Sequence, residues 1–410
     1  MQPIAAAQHH LPAKDPRLNL YGPILLLLAA ILLLLSLSFS SSPSPSPSRS
    51  NPLPISSSPP PPSLAYLLSG SDGDASRLLR LLHAVYHPRN LYVLHLDLAA
   101  SRDQRLRLAR SVQSVPTFRR HGNVHVIGRP GRADPRGSST IAVVLHGAAL
   151  LLRISDGWSW FLNLHASDYP LVSQDDLLHV FSVLPEDLNF VQHTSNLTWR
   201  ETHRLKPIIV DPGLHLSSKA DVFYTSEKRQ LPNAFRVFTG SASVILSRKF
   251  IEHCILGTDN LPRTLLMYYA NTPSSHRNYF QTVLCNSPAF NRTIVNHHLH
   301  YEIWDTPPKR DPRMLNLKDY ENMTQSGAAF ATQIPKDDPV LKRIDEEVLN
   351  RAPGRITPGG WCLGIGDTDP CSVSGNSDIV RPSLRAVNLT KTIEVLLSDG
   401  KFLSNQCIWE

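Results

Sequence analysis

The chain has 410 residues, 41% of them hydrophobic and only 18% charged, with a formal charge of +7, which is room for one large or two ordinary domains. The basic residues are scattered along it (Arg77, Arg80, Arg102, Arg105, Arg107, Arg110, Arg119, Arg120, then Lys309, Arg310, Arg313) with no basic run interleaved with aromatics, which argues against a nucleic-acid partner. Modest basicity suits instead the handling of anionic small molecules such as sugar nucleotides.

Residues 1–20 form a short tail, and residues 21–39, YGPILLLLAAILLLLSLSF, are uncharged and about one bilayer crossing long. Lys14 and Arg17 precede this segment and no basic residue follows until Arg49, so the positive-inside rule leaves the N-terminus in the cytosol and the rest lumenal. A cleaved signal peptide is the rival reading, but the apolar core is long and no small-x-small cleavage site follows cleanly. Residues 40–63 are almost entirely Ser and Pro; such a segment buries no core, stays extended, and reads as a stem for a domain spanning 64–410. Four acceptor sequons, at Asn196, Asn291, Asn322 and Asn388, agree with lumenal exposure. Five cysteines without a CxxC fit an oxidising compartment better than a metal site; Cys362 and Cys371, nine apart, are the easiest pair to bridge, and one cysteine is left over.

From Leu64 the periodicity alternates. Leu64 to Leu68 predicts a strand, Leu78, Leu81, Leu82 and Val85 share one helical face, and Tyr92 to Leu96 predicts a strand closing on Asp97. Arg102 to Val115 predicts an amphipathic helix, Val124 to Ile127 a strand, Thr140 to Leu152 an apolar helix, and Trp158 to Leu164 the next strand. This βαβα order implies an α/β fold whose mixed, mostly parallel sheet is flanked by helices. Strand ends at the carboxyl edge of such sheets build sites, so Asp168 in WSWFLNLHASDYPLVSQDD is expected to face a crevice; the competing reading is a capped turn, with Ser167 or Asp168 satisfying backbone donors. Asp72-Gly-Asp74 has metal-binding spacing but lies in the turn after the first strand and reads as a helix cap; Asp367-x-Asp369 is weaker still. His297, His298 and His300 have no partnering acid or cysteine at ligand spacing, so no metal is expected.

The ordered segments AYLLSGSDGD, AVYHPRNLYVLHLD, WSWFLNLHASDYPL, KPIIVDPGL, FRVFTGSASVILSRKFIEHC, DNLPRTLLMYY, LHYEIWDTPPKRDP and GGWCLG resemble the plant branch of the core-2/I-branching glycosyltransferases, glycosyltransferase family fourteen, whose plant members are similar to β-glucuronosyltransferases acting on arabinogalactan proteins. The resemblance implies a GT-A-like fold, a type II Golgi membrane topology, a UDP-sugar donor, a glycan or glycoprotein acceptor, and inverting transfer without a metal. It implies nucleotide-sugar contacts for Ser69, Asp97, Asp168, Lys309 and Arg310, and acceptor contacts for Gln192, Arg200, Arg204, Gly240, Ser241 and Trp304. Inversion requires a carboxylate within hydrogen-bond reach of the attacking hydroxyl.

Here the chain departs from its relatives. Where the plant branch reads SSPEGYFHTV this chain reads SSHRNYFQTV, so the expected base is Arg277, which cannot accept a proton. A glutamate of FIEHTS becomes Gln192, and a basic residue of FARKF becomes Gln333. Glu302, Asp259 and Asp168 are the substitute bases. Two expectations follow: an active enzyme with a shifted site, or a catalytically impaired member that binds glycans or partners an active relative. N-acetylglucosamine, xylose and glucuronate remain open as the sugar, with glucuronate ahead by resemblance.

Overall fold

The computed structural model describes residues 60–215, 221–364 and 369–407. The expected tail, span and most of the stem lie outside them; among the described residues no helix is long and apolar enough to cross a membrane.

The chain enters through β1 (Leu64–Gly70), then α1 (Ala75–Val85), β2 (Leu91–Leu96), α2 (Arg102–Ser114), α3 (Pro116–His121), β3 (Val124–Val126), α4 (Ser139–Ile154) and β4 (Trp160–His165). Each predicted element is present within a few residues of its expected ends. β5 (Tyr169–Pro170), α5 (Gln174–Phe181), β6 (Asn189–Phe190), β7 (His193–Thr194), α6 (Trp199–Leu205), β8 (Pro207–Val210) and β9 (Phe223–Lys228) follow. Next come β10 (Thr239–Gly240), β11 (Ile245–Ser247), α7 (Arg248–Ile255), α8 (Leu261–Tyr269), α9 (Tyr279–Asn286) and β12 (Ile294–Val295).

The central sheet has seven strands in the order β12-β6-β11-β4-β1-β2-β3. β1 pairs in parallel with β2 and β4, β2 with β3, and β12 with β6, whereas β11 runs antiparallel between β4 and β6. The sheet is therefore mixed and mostly parallel. β1 is apolar at every position from Leu64 to Leu68 because both its faces are covered. Leu64, Tyr66 and Leu68 join one core with Leu78, Leu81, Leu82 and Val85 of α1, while Ala65 and Leu67 face a second core with Ile141, Val144 and Ala148 of α4. Gly147 lets α4 lie close on β1, since a Cβ there would stand 2.6 Å from Leu67 Cδ1.

The acids that follow β4 hold this scaffold together. Asp176 and Ser173 form a capping box at the start of α5, and Asp175 accepts from the amides of Gly360 and Arg381, both at 2.7 Å. The carboxyl-terminal segment is thus fastened to α5. Cys362 bonds Cys371 as expected, Cys285 of α9 bonds Cys407, and Cys254 is free.

Candidate active site

A cavity of about 510 Å3 is built by loops and short elements from six parts of the chain. Arg136 comes from the loop between β3 and α4, Glu201, His203 and Arg204 from α6, and Tyr224 and Thr239 from β9 and β10. Ser274, Arg277 and Asn278 come from the turn before α9, and Arg310 from the 302–313 loop. Four arginines and one carboxylate, Glu201, line it, so its field favours anions.

The turn bearing Arg277 is pinned by its neighbours. Ser274 has a left-handed backbone (φ 48°); its amide donates to Arg136 O at 3.0 Å and its hydroxyl to Pro135 O at 3.0 Å. Arg277 then reaches across to the 302–313 loop, donating to Arg310 O at 2.9 Å and to Asp311 Oδ1 at 3.0 Å, with its guanidinium 5.8 Å from the centre of the Trp304 ring. Burial lowers its basicity; Asp311 and Glu302 oppose that shift, and Arg310 and Arg204 add to it. It remains a cation. Arg136 is held by Asp134 at 2.7 Å and Asp221 at 3.2 Å.

Of the sequence-predicted site residues, Arg204, Arg277 and Arg310 meet in this cavity. Gln192, Gly240 and Ser241 gather beside it where β10 pairs with β7: Gln281 Nε2 donates to Ser241 O at 2.7 Å and approaches Gln192 O at 3.5 Å. Gly240 serves this pairing, for a Cβ would lie 1.8 Å from Gln192 O, so the backbone it admits is the protein's own. Arg200 is exposed on α6 and Lys309 pairs with Asp305 at 2.9 Å; neither lines the cavity.

The remaining acids are engaged elsewhere. Asp168 is 3% exposed; it accepts from His165 N at 2.8 Å and Thr332 Oγ1 at 2.6 Å. That geometry is the capped turn, and it departs from the expected crevice because both oxygens are occupied within the core. Asp97 is likewise a backbone clamp, accepting from Ala99 N at 2.6 Å and Ala133 N at 2.5 Å, and Ser69 Oγ donates to Leu164 O at 3.4 Å. Asp259 accepts from Leu261 N at 2.9 Å and faces His253. Glu302 accepts from Trp304 Nε1 at 2.9 Å and stands 3.5 Å from His298. Burial works against its charge, but His298 and Trp304 win and hold it below the ordinary glutamate range, which weakens it as a base.

Asp74 is the N-cap residue of α1, but its side chain caps nothing in the helix; it accepts from Ser71 N and pairs with Arg77. Asp72 accepts from Gln104, and Asp367 lies outside the described residues. Among the described residues the group close enough to hold a metal is His193 with Cys285 and Cys407, whose sulfurs are joined to each other. Asn196, Asn322 and Asn388 are exposed, and Asn291 is half-buried.

Sequence reasoning missed Glu201 and Arg136. Glu201 had a signal, since Thr198 with a glutamate three residues on is a capping box, and Thr198 N does donate to Glu201 Oε2 at 2.6 Å. Arg136 sits in a loop with no pattern to mark it. Trp199 was also missed: it is 74% exposed and stacks on His203 with ring centres 4.8 Å apart, beside the cavity.

Residues 64–324 match the family model described as Core-2/I-Branching enzyme. The chain is 52% identical over 345 residues to Beta-glucuronosyltransferase GlcAT14A of Arabidopsis thaliana, covering 84% of this chain and 77% of that protein. It is 45% identical over 343 residues to Beta-glucuronosyltransferase GlcAT14C of Arabidopsis thaliana, covering 84% of each. More distantly, 237 residues are 29% identical to Xylosyltransferase 1 of Canis lupus familiaris, covering 57% of this chain and 23% of that protein. By these matches the chain belongs to the core-2/I-branching enzyme family, a glycosyltransferase family.

Proposed function

We propose that this chain is a β-glucuronosyltransferase, moving glucuronate from UDP-glucuronate, with inversion and without a metal, onto β-linked galactan side chains of arabinogalactan-type glycoproteins. In this reading it is a single-pass type II protein of the Golgi membrane, with residues 64–410 in the lumen. The observation that carries the proposal is the cavity lined by Arg136, Arg204, Arg277 and Arg310. The donor is anionic at its diphosphate and again at its uronate carboxylate, and planar guanidinium forks bind both groups well. The relatives named as β-glucuronosyltransferases support the same donor.

On this reading Arg204 and Arg310, which have no carboxylate partner among the described residues, neutralise the leaving diphosphate and the uronate. Exposed aromatics at the rim, Trp199, Tyr224 and Trp304, offer apolar faces to the acceptor glycan. Glu201 is the carboxylate within the cavity that could receive the acceptor's proton, once it lets go of the Thr198 amide.

A second reading is favoured by one observation: Arg277 occupies the position where the resemblance places the base. A member without that base would bind UDP-sugar or glycan without turning over. The purified protein incubated with UDP-glucuronate and a β-galactan acceptor separates the two. Transfer of glucuronate is the expected result; UDP binding without transfer, with turnover appearing in Arg277→Glu, selects the second.

A further inference from the structure

The chain's excess positive charge is concentrated in one stretch. Residues 102–132 contain eight arginines, no lysine and one acid, Asp103, an excess equal to the +7 of the whole chain, so the remainder is balanced. That stretch is a single edge of the molecule, made of α2, α3 and β3, the last strand of the central sheet. Arg102, Arg107, Arg110, Arg119 and Arg129 are exposed there, and among the described residues no carboxylate pairs with any of them. Arg120 and Arg105 are used differently: the first donates to Ser372 O and Ser374 Oγ, both at 3.3 Å, and the second to Leu98 O at 3.2 Å.

Between α2 and the segment after β3 lies a cavity of about 580 Å3 that shares no lining residue with the first. Its apolar side is Leu96, Leu98, Val126 and Ile127, its polar side is Arg102, Arg105 and Arg129, and among the described residues no carboxylate or aromatic lines it. An unneutralised set of arginines is costly to keep together unless an anion joins them, because like charges repel. Arginine rather than lysine throughout matches planar anions, which it grips through two parallel hydrogen bonds. The apolar side suits the C–H faces of a sugar. Without aromatic platforms it lacks what single-stranded nucleic acids stack upon.

We infer that this edge anchors an acidic glycan, a polysaccharide strand bearing carboxylates, at a site separate from the transfer cavity. The inference rests on the proposed function, because it takes the chain to work on glycans. The product of glucuronate transfer carries such carboxylates, so the edge would retain a partly modified chain while further acceptor residues reach the cavity. Affinity would be strongest at low salt and fall as ionic strength rises.

The test titrates the purified full-length protein with an oligogalacturonate, a neutral β-galactan oligomer of equal length, a single-stranded DNA oligomer and vesicles containing anionic lipid. The oligogalacturonate is expected to bind, and Arg102→Gln/Arg110→Gln/Arg129→Gln to weaken it by about tenfold or more. That variant should transfer to a short neutral acceptor at the parental rate, and Arg204→Gln should leave oligogalacturonate binding unchanged. Equal melting temperatures confirm that the triple variant folds; if it melts early, Arg129→Gln alone, on a loop, is expected to weaken binding about threefold. Binding through these arginines by a protein that transfers nothing upholds the anchoring site and overturns only the enzymatic reading. Equal binding of neutral and acidic oligomers, full affinity in the variants, or capture of DNA or vesicles but not oligogalacturonate overturns the inference.

Discussion

At the scale of single residues, two positions show how neighbours decide a role. Gly240 lies against the Gln192 carbonyl, so an added methyl must force β7 and β10 apart. Gly240→Ala is expected to destabilise the protein by about 2–4 kcal/mol, read as a lower urea midpoint with an unchanged slope; an unaltered midpoint contradicts the close approach. Asp168 teaches the same lesson in reverse. Its place at the end of an apolar strand was legible, as was the choice between a crevice acid and a cap. The deciding partner, Thr332, lies 164 residues away, where no local pattern reaches. Arg277 was legible as a departure, yet its contacts with Asp311 and Arg310 depend on a loop whose path the sequence does not specify.

At the scale of elements, the helices and strands up to β4 could be read because each carries its own period, 3.6 or 2, or a continuous apolar run where both faces are covered. The two- and three-residue strands β5, β6, β7, β10, β11 and β12 are too short to carry a period, which is why the antiparallel β11 and the cavity wall built by β10 lay beyond pattern reading. What joins elements is often a buried charge. Asp345, on the helix Pro339–Glu347, accepts from Tyr169 OH of β5 at 2.6 Å, from Arg80 of α1 at 2.6 Å and from Arg351 at 2.6 Å. Removing that carboxylate leaves Arg351, 3% exposed, a buried cation without its carboxylate partner, held only by Tyr169 OH and Arg355 O among the described residues. Asp345→Ala is therefore expected to cost about 3–5 kcal/mol in chemical denaturation; a loss below about 1 kcal/mol would show that water replaces the network. The Cys285–Cys407 bridge closes a long loop and ties α9 to the chain's end. Cys285→Ser with Cys407→Ser should lower stability by about 2–5 kcal/mol, and a reducing agent, which also opens Cys362–Cys371, should lower the parent's stability at least as much.

At the scale of the whole molecule, buried histidines set a pH dependence. Burial pushes His83, His193, His297 and His300 down to about 4, and His87 and His276 down to about 3. Each is neutral in the fold and protonates near 6.5 when unfolded, so the unfolded state gains protons first as pH falls. Stability is fully present above about pH 6.5 and is lost progressively toward pH 3, so the melting temperature should fall by about 5 °C or more between pH 7 and 5; a flat profile contradicts their burial. The central claim also belongs to this scale, because the arginine-lined cavity exists only when six separate segments converge. It is tested most directly by titrating UDP-glucuronate and UDP-glucose into the parent protein and into Arg204→Ala and Arg310→Ala. The account predicts that the parent binds UDP-glucuronate about tenfold or more tightly than UDP-glucose, and that each substitution removes most of that preference. Equal affinity for the two donors, untouched by either substitution, would contradict it.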